Sequence, residues 1–86
     1  MGDRFDFEAA QQLVSLVDKA AKTLEGKNAE LTKSFSRLHE HFSDVAYENL
    51  AEDMQKSDRA VKALLEQMEE TSRSISNYAD RLRDAL

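Results

Sequence analysis

His41-Phe42-Ser43-Asp44-Val45-Ala46-Tyr47 is the stretch on which the fold depends, because two apolar ladders meet there out of step. Upstream, apolar side chains recur three and four residues apart: Phe7, Ala10, Val14, Val17, Ala21, Leu24, Leu31, Phe35, Leu38, Phe42 and Val45, with Asn28 the one polar rung. Downstream the same spacing gives Tyr47, Leu50, Met54, Val61, Leu64, Met68, Ile75, Tyr78, Leu82 and Ala85, interrupted only by Ser57 and Thr71. That alternation stripes one side of an α-helix and makes a seam against another helix. The second ladder starts two residues out of register with the first, so one uninterrupted seam cannot run through both. Ser43 and Asp44 are residues that cap a helix N-terminus, accepting a free backbone N–H. Glu48, Glu52 and Asp53 then fall in the first turns of the second helix, where negative charge suits the macrodipole. The spacing predicts a tight reversal near residues 42–45. The fold class expected is all-α: an antiparallel two-helix hairpin, about 5–42 and 45–86, with arms ~60 Å long at 1.5 Å per residue.

A reversal there sets Phe35 against Met54, Leu24 against Leu64 and Ala10 against Tyr78. Large residues then face small or flexible ones, as interdigitation requires. Met54 and Met68 read as fillers of this seam rather than as a groove for partners. Gly26 is the weak point of helix one, either a hinge or a single glycine costing ~1 kcal/mol relative to alanine. The ladder keeps its phase from Leu24 through Asn28 to Leu31, so the expectation is an unbroken helix. Asn28 becomes a polar seam residue of the kind that fixes register, and Ser57 and Thr71 either serve the same role or mark shallow burial. Phe42 and Tyr47 flank the reversal, either as a hydrophobic lock or as an exposed tip for a partner.

Composition agrees with long helices. Among 86 residues there is no proline, and the only glycines are Gly2 and Gly26, so punctuation for strands is missing. The chain reads as a single helical-hairpin domain over 1–86. Net charge is −5 with no basic run, which argues against nucleic acid and anionic membranes as partners. No apolar run approaches the ~18 residues of a membrane span. Residues 1–7 lack the apolar core of a secretory leader, and Asp6 stands where N-myristoylation of Gly2 requires Ser or Thr. Cysteine is absent, which excludes disulfides and thiolate chemistry.

Nothing points to catalysis. His39 and His41, two apart on a helix, point about 200° away from each other and cannot clasp one metal from that arm. Glu48, Glu52, Asp53, Asp58, Glu66, Glu69 and Glu70 read as a solvated face pairing with Lys and Arg. No elbow or glycine loop presents a nucleophile or a phosphate cradle. No enzyme activity, cofactor or metal is expected.

The apolar face is wider than one seam. Leu13, Leu16, Ala20 and Leu65 lie beside it, and two helices cannot cover them. The expected partner is a second helical hairpin, from a homodimer or a heterodimer, completing a four-helix bundle. Leu13, Leu16, Val17, Leu24, Leu65 and Met68 are the residues expected to bury that interface.

The turn segment Phe42-Ser43-Asp44-Val45-Ala46-Tyr47-Glu48-Asn49-Leu50, central in a hairpin of this size, resembles the Trp-x-Gly loop of the small WXG-family substrates of type VII secretion. Phe42 stands in place of the Trp and Asp44 in place of the Gly; an aromatic-x-Asp version occurs among divergent WXG-like proteins, including helical partners of larger exported toxins. The family's C-terminal Tyr-x-x-x-Asp/Glu is incomplete here, because Tyr78 is followed by Ala79-Asp80-Arg81-Leu82. The resemblance implies a type VII secretion substrate or export adaptor, with Phe42, Asp44 and Tyr78 as the surface the machinery reads. It implies export without a cleaved signal peptide, from a cytoplasmic pool, and the incomplete signal implies dependence on a partner such as an exported toxin. The alternative is a cytoplasmic coiled-coil adaptor or chaperone subunit with no export role.

Overall fold

A computed structural model of the chain describes residues 5–86; the readings of Gly2 and of the first four residues lie outside the described residues. Two helices account for nearly all of it: α1, Phe7–Leu38, and α2, Asp44–Ala85. They fold back on one another as an antiparallel hairpin with extents of 64 × 22 × 16 Å. The long axis is that of α2, whose 42 residues span about 63 Å at the α-helical rise.

Side-chain caps start both helices. Asp6 accepts from the Ala9 N–H at 2.9 Å, and Ser43, in an extended conformation, accepts from the Ala46 N–H at 3.3 Å. Of the two cap candidates, Ser43 is the cap and Asp44 the first helical residue. α1 stops at Leu38 rather than continuing to residue 42. Its end tightens into bonds of the i→i−3 kind: His39, Glu40 and His41 donate to the carbonyls of Ser36, Arg37 and Leu38. Such bonds satisfy terminal carbonyls where no glycine is present to form a left-handed cap. Residues 39–43 then make the reversal.

Helix α1 runs unbroken through Gly26. The half-buried positions on α1 are Phe7, Ala10, Val14, Val17, Ala21, Leu24, Asn28 and Phe35, the ladder expected. Leu31 and Leu38 remain 49% and 40% exposed. A straight α-helix drifts about 20° per heptad against a seven-residue repeat, and these late rungs have rotated outward.

On α2 the seam differs from the expectation. Tyr47, Met54, Val61, Met68, Ile75 and Leu82 are half-buried as predicted, but the rungs between them are Ala51, Asp58, Leu65, Ser72 and Ala79. Leu50, Leu64 and Tyr78 are 40%, 50% and 49% exposed, and Ser57 and Thr71 are open. Small side chains at Ala51, Ser72 and Ala79 let the backbones approach, and polar pairing holds this rotation. Asn28 Nδ2 donates to Asp58 Oδ1 at 2.8 Å, and Ser72 Oγ donates to Asp18 Oδ1 at 3.0 Å. Asn28 therefore does bridge the seam, but its partner is Asp58, a residue assigned above to the solvated face. The roles read for Ser57 and Thr71 belong to Asp58 and Ser72.

A Cβ added at Gly26 meets nothing within 4 Å, so Gly26→Ala should stabilise the chain by up to about 1 kcal/mol. Urea unfolding checks this, and a lower midpoint for the variant would contradict a regular helix at that site.

Candidate protein-binding site

Among the described residues no apolar side chain is buried; the one buried residue is Ser72, 7% exposed. The accessible surface is 7178 Å², against about 5,200 Å² for a compact monomer of 9.8 kDa. The radius of gyration is 19.6 Å, against about 12 Å for a compact domain of this length. A two-helix layer exposes both of its broad faces, so the distribution of side chains between those faces decides what the surface can do.

The helical period sorts them. Residues just N-terminal to seam positions, such as Leu13 and Leu16 on α1 and Leu50, Leu64 and Tyr78 on α2, are rotated in one sense from the seam. In an antiparallel pair that sense brings both sets to the same broad face. Leu31 and Leu38 drift toward it as well. On α2 this face is apolar apart from Ser57 and Thr71; on α1 the same rotation brings Lys27, exposed and paired with Glu30, and Ser34 to it beside the leucines. Residues rotated the other way are Gln11, Asp18, Glu25 and Thr32 on α1, and Gln55, Lys62, Glu69 and Ser76 on α2. The opposite face is therefore hydrophilic. The grooves between the helices open there, edged by Gln11, Ser76 and Arg83, by Glu25, Glu66 and Glu69, and by Ser36, Gln55 and Arg59.

Of the residues read as a partner surface, Leu13 and Leu16 are 48% and 64% exposed and lie on the apolar face. Val17, Leu24, Leu65 and Met68 are half-buried and belong to the seam between the chain's own helices. The open residues the sequence did not single out for this role are Leu31, Leu38, Leu50 and Leu64. All four were assigned to the inner seam instead.

The turn divides the two roles left open for its aromatics. Tyr47 is the lock: its ring stacks on Phe35 at 5.0 Å and on His39 at 4.0 Å between centroids. His39 Nε2 also lies 3.3 Å from Asp44 Oδ1, which ties the end of α1 to the start of α2. Phe42 is 45% exposed and Val45 71% exposed, leaving an apolar tip. Tyr78 is distant from that tip. It lies about 50 Å along α2 from Asp44, edge-on to Phe5 at 5.3 Å. Phe5 also meets Phe7 at 5.1 Å, and the Arg83 guanidinium sits 4.9 Å over the Phe7 ring. Within one chain, Phe42 and Asp44 come together and Tyr78 does not join them.

Among the described residues no group of three or more His, Asp or Glu is placed to hold a metal, and no helix is long and apolar enough to cross a membrane. Charged pairs among the described residues include Lys27–Glu30 at 3.4 Å, Arg73–Glu69 at 3.2 Å and Lys62–Asp58 at 2.9 Å. The first two are exposed and contribute little. Asp58 differs because one carboxylate oxygen takes the Lys62 ammonium and the other takes the Asn28 amide. Hydrogen bonding to Lys62 first, and to Asn28 second, holds its carboxyl below the usual carboxylate value, against a smaller opposing effect of desolvation. Comparison with protein families, with curated proteins and with solved structures finds no match to this chain.

Because Asp58 is more acidic in the fold than in the unfolded chain, its contribution to stability is complete above the ordinary carboxylate pKa. It is lost as pH falls through the folded value. The melting temperature of the native chain should therefore fall more steeply than that of Asp58→Asn as pH drops from about 4 toward 2. Parallel curves would show that the cross-seam carboxylate carries no such linkage.

Proposed function

We propose that this protein acts by being bound: its apolar face docks on a second helical hairpin, and the resulting four-helix bundle is the functional unit. The observation that carries this reading is the one-sided division of the hairpin. Leucines predominate on one broad face, interrupted by Lys27, Ser57 and Thr71, polar side chains line the other, and among the described residues no apolar side chain is buried. A four-helix bundle covers that face with the same ridges-into-grooves contact that joins the hairpin itself.

Within that class, the reading we favour is a WXG-like substrate or export adaptor of type VII secretion. Two features support it. The segment that resembles the family's turn caps the hairpin as an exposed apolar tip, with Phe42 open beside the ordered Ser43 cap. Tyr78, the residue resembling the start of the C-terminal signal, is also open. Leu82, where the family pattern has an acidic residue, is half-buried in the seam, which favours a chain that leaves with a partner over one that carries a complete signal.

The test is export from cells that possess a type VII membrane ATPase, with and without co-expressed helical partners. The chain should appear in the medium only when the ATPase is active. Phe42→Ala should reduce export at least severalfold while leaving the circular dichroism spectrum unchanged, because Tyr47 rather than Phe42 locks the turn. Retention in the cytoplasm under all of these conditions would contradict the export reading and favour a cytoplasmic adaptor or chaperone subunit.

A further inference from the structure

We infer that α2 carries two alternative seams, and that the bonds Asn28–Asp58 and Ser72–Asp18 are latches holding the rotation that leaves Leu50, Leu64 and Tyr78 open. Both seams lie within the hairpin, so this device is independent of docking and of export. Tyr47, Met54, Val61, Met68, Ile75 and Leu82 serve either seam. The observed seam adds the residue four places after a shared rung: Ala51, Asp58, Leu65, Ser72 and Ala79. The other adds the residue three places after it: Leu50, Ser57, Leu64, Thr71 and Tyr78. Neighbouring residues stand about 100° apart around a helix, so the two seam centres differ by about 50°.

Helix α1 offers a counterpart to each. In the observed rotation Asn28 donates to Asp58 at 2.8 Å and Ser72 donates to Asp18 at 3.0 Å. Turning α2 through that angle sets Leu64 level with Leu24, Tyr78 with Ala10, and Ser57 with Asn28, where a hydroxyl can still meet the amide. Tyr47, which stacks on Phe35 and His39 at the turn, is a shared rung, so the lock at the reversal belongs to both arrangements.

Apolar burial favours the other seam, because it exchanges Ala51, Ser72 and Ala79 for Leu50, Thr71 and Tyr78. Closer contact over the small rungs offsets part of that difference. Polar pairing opposes the exchange. Asp58 is half-buried, with one carboxylate oxygen on the Lys62 ammonium at 2.9 Å and the other on the Asn28 amide. Ser72 is the one buried residue among those described. Asp, Asn and Ser are short side chains, so a turn of α2 that carries Asp58 and Ser72 outward breaks both cross-helix bonds. Packed helices move between discrete arrangements rather than sliding continuously. With the latches made, Leu50, Leu64 and Tyr78 stay 40%, 50% and 49% exposed; with the latches lost, the hairpin withdraws them into its own seam.

The chain has no cysteine, so Leu64→Cys and Leu65→Cys, made separately in the full chain, report the rotation by their rates of reaction with a maleimide. Each is labelled at nanomolar protein, with and without the pair Asp18→Ala and Asn28→Ala, which removes both latches from α1 using a residue that favours helix. Without the latches Leu64→Cys should react severalfold more slowly, and Leu65→Cys severalfold faster, than the same cysteine with the latches intact. Exchanging the partners, Asn28→Asp with Asp58→Asn, rebuilds one bond in reverse and should leave both rates near their latched values. Rates unchanged by the two alanines would show a single seam and overturn the inference. Both rates rising together, as they would in a chain that unfolds, would show bonds that hold the hairpin closed without choosing between seams, and would overturn it equally.

Discussion

Two straight helices touch along a single line, and that geometric limit governs everything else in this molecule. Each helix of the pair has one neighbour, so a side chain in the seam is covered on one side and remains open on the other. Hence even the best-placed apolar rungs are only half-buried, and among the described residues the one buried side chain is the small Ser72. The order seen within the hairpin comes from helix caps, from aromatic packing at its two ends, and from two polar bridges in between. Phe35, Tyr47 and His39 stack at the turn, while Phe5, Phe7, Tyr78 and Arg83 cluster at the open end. Apolar burial, the dominant stabilising contribution in most domains, is incomplete within the hairpin alone.

The hairpin itself was legible because helix period, capping residues and the phase slip at residues 41–47 all point the same way. The rotation of α2 was not. Between Tyr47, Met54, Val61, Met68, Ile75 and Leu82, the intervening rung can fall on the residue before or after the half-heptad. Counting apolar side chains selects Leu50, Leu64 and Tyr78; the structure selects Ala51, Asp58, Leu65, Ser72 and Ala79. Hydrophobicity alone misleads here because close approach favours small residues, and a polar rung on one helix requires a polar rung facing it. The usable signal was Asn28. A half-buried amide needs a partner, and Asp58, not Ser57, presents a carboxylate at the facing level.

The same error explains what was and was not visible of the binding face. Leu13 and Leu16 read correctly as lying outside the seam. Leu50 and Leu64 were hidden by their assignment to it, and Leu65 was placed beside a seam in which it takes part. Exposed leucines on α2 are the direct consequence of small and polar residues winning the inner positions. On the proposed docking, the same choice of inner register that leaves these side chains open also supplies the contact surface.

The central claim is that the leucine face is shielded from water by association and that the fold draws stability from that contact. Thermal unfolding of the native chain across a hundredfold range of protein concentration tests it most directly. The account predicts a melting temperature that climbs steadily with concentration, because dimer formation is linked to folding. A sharp transition at one temperature throughout that range would show a hairpin complete in itself, and would contradict the account.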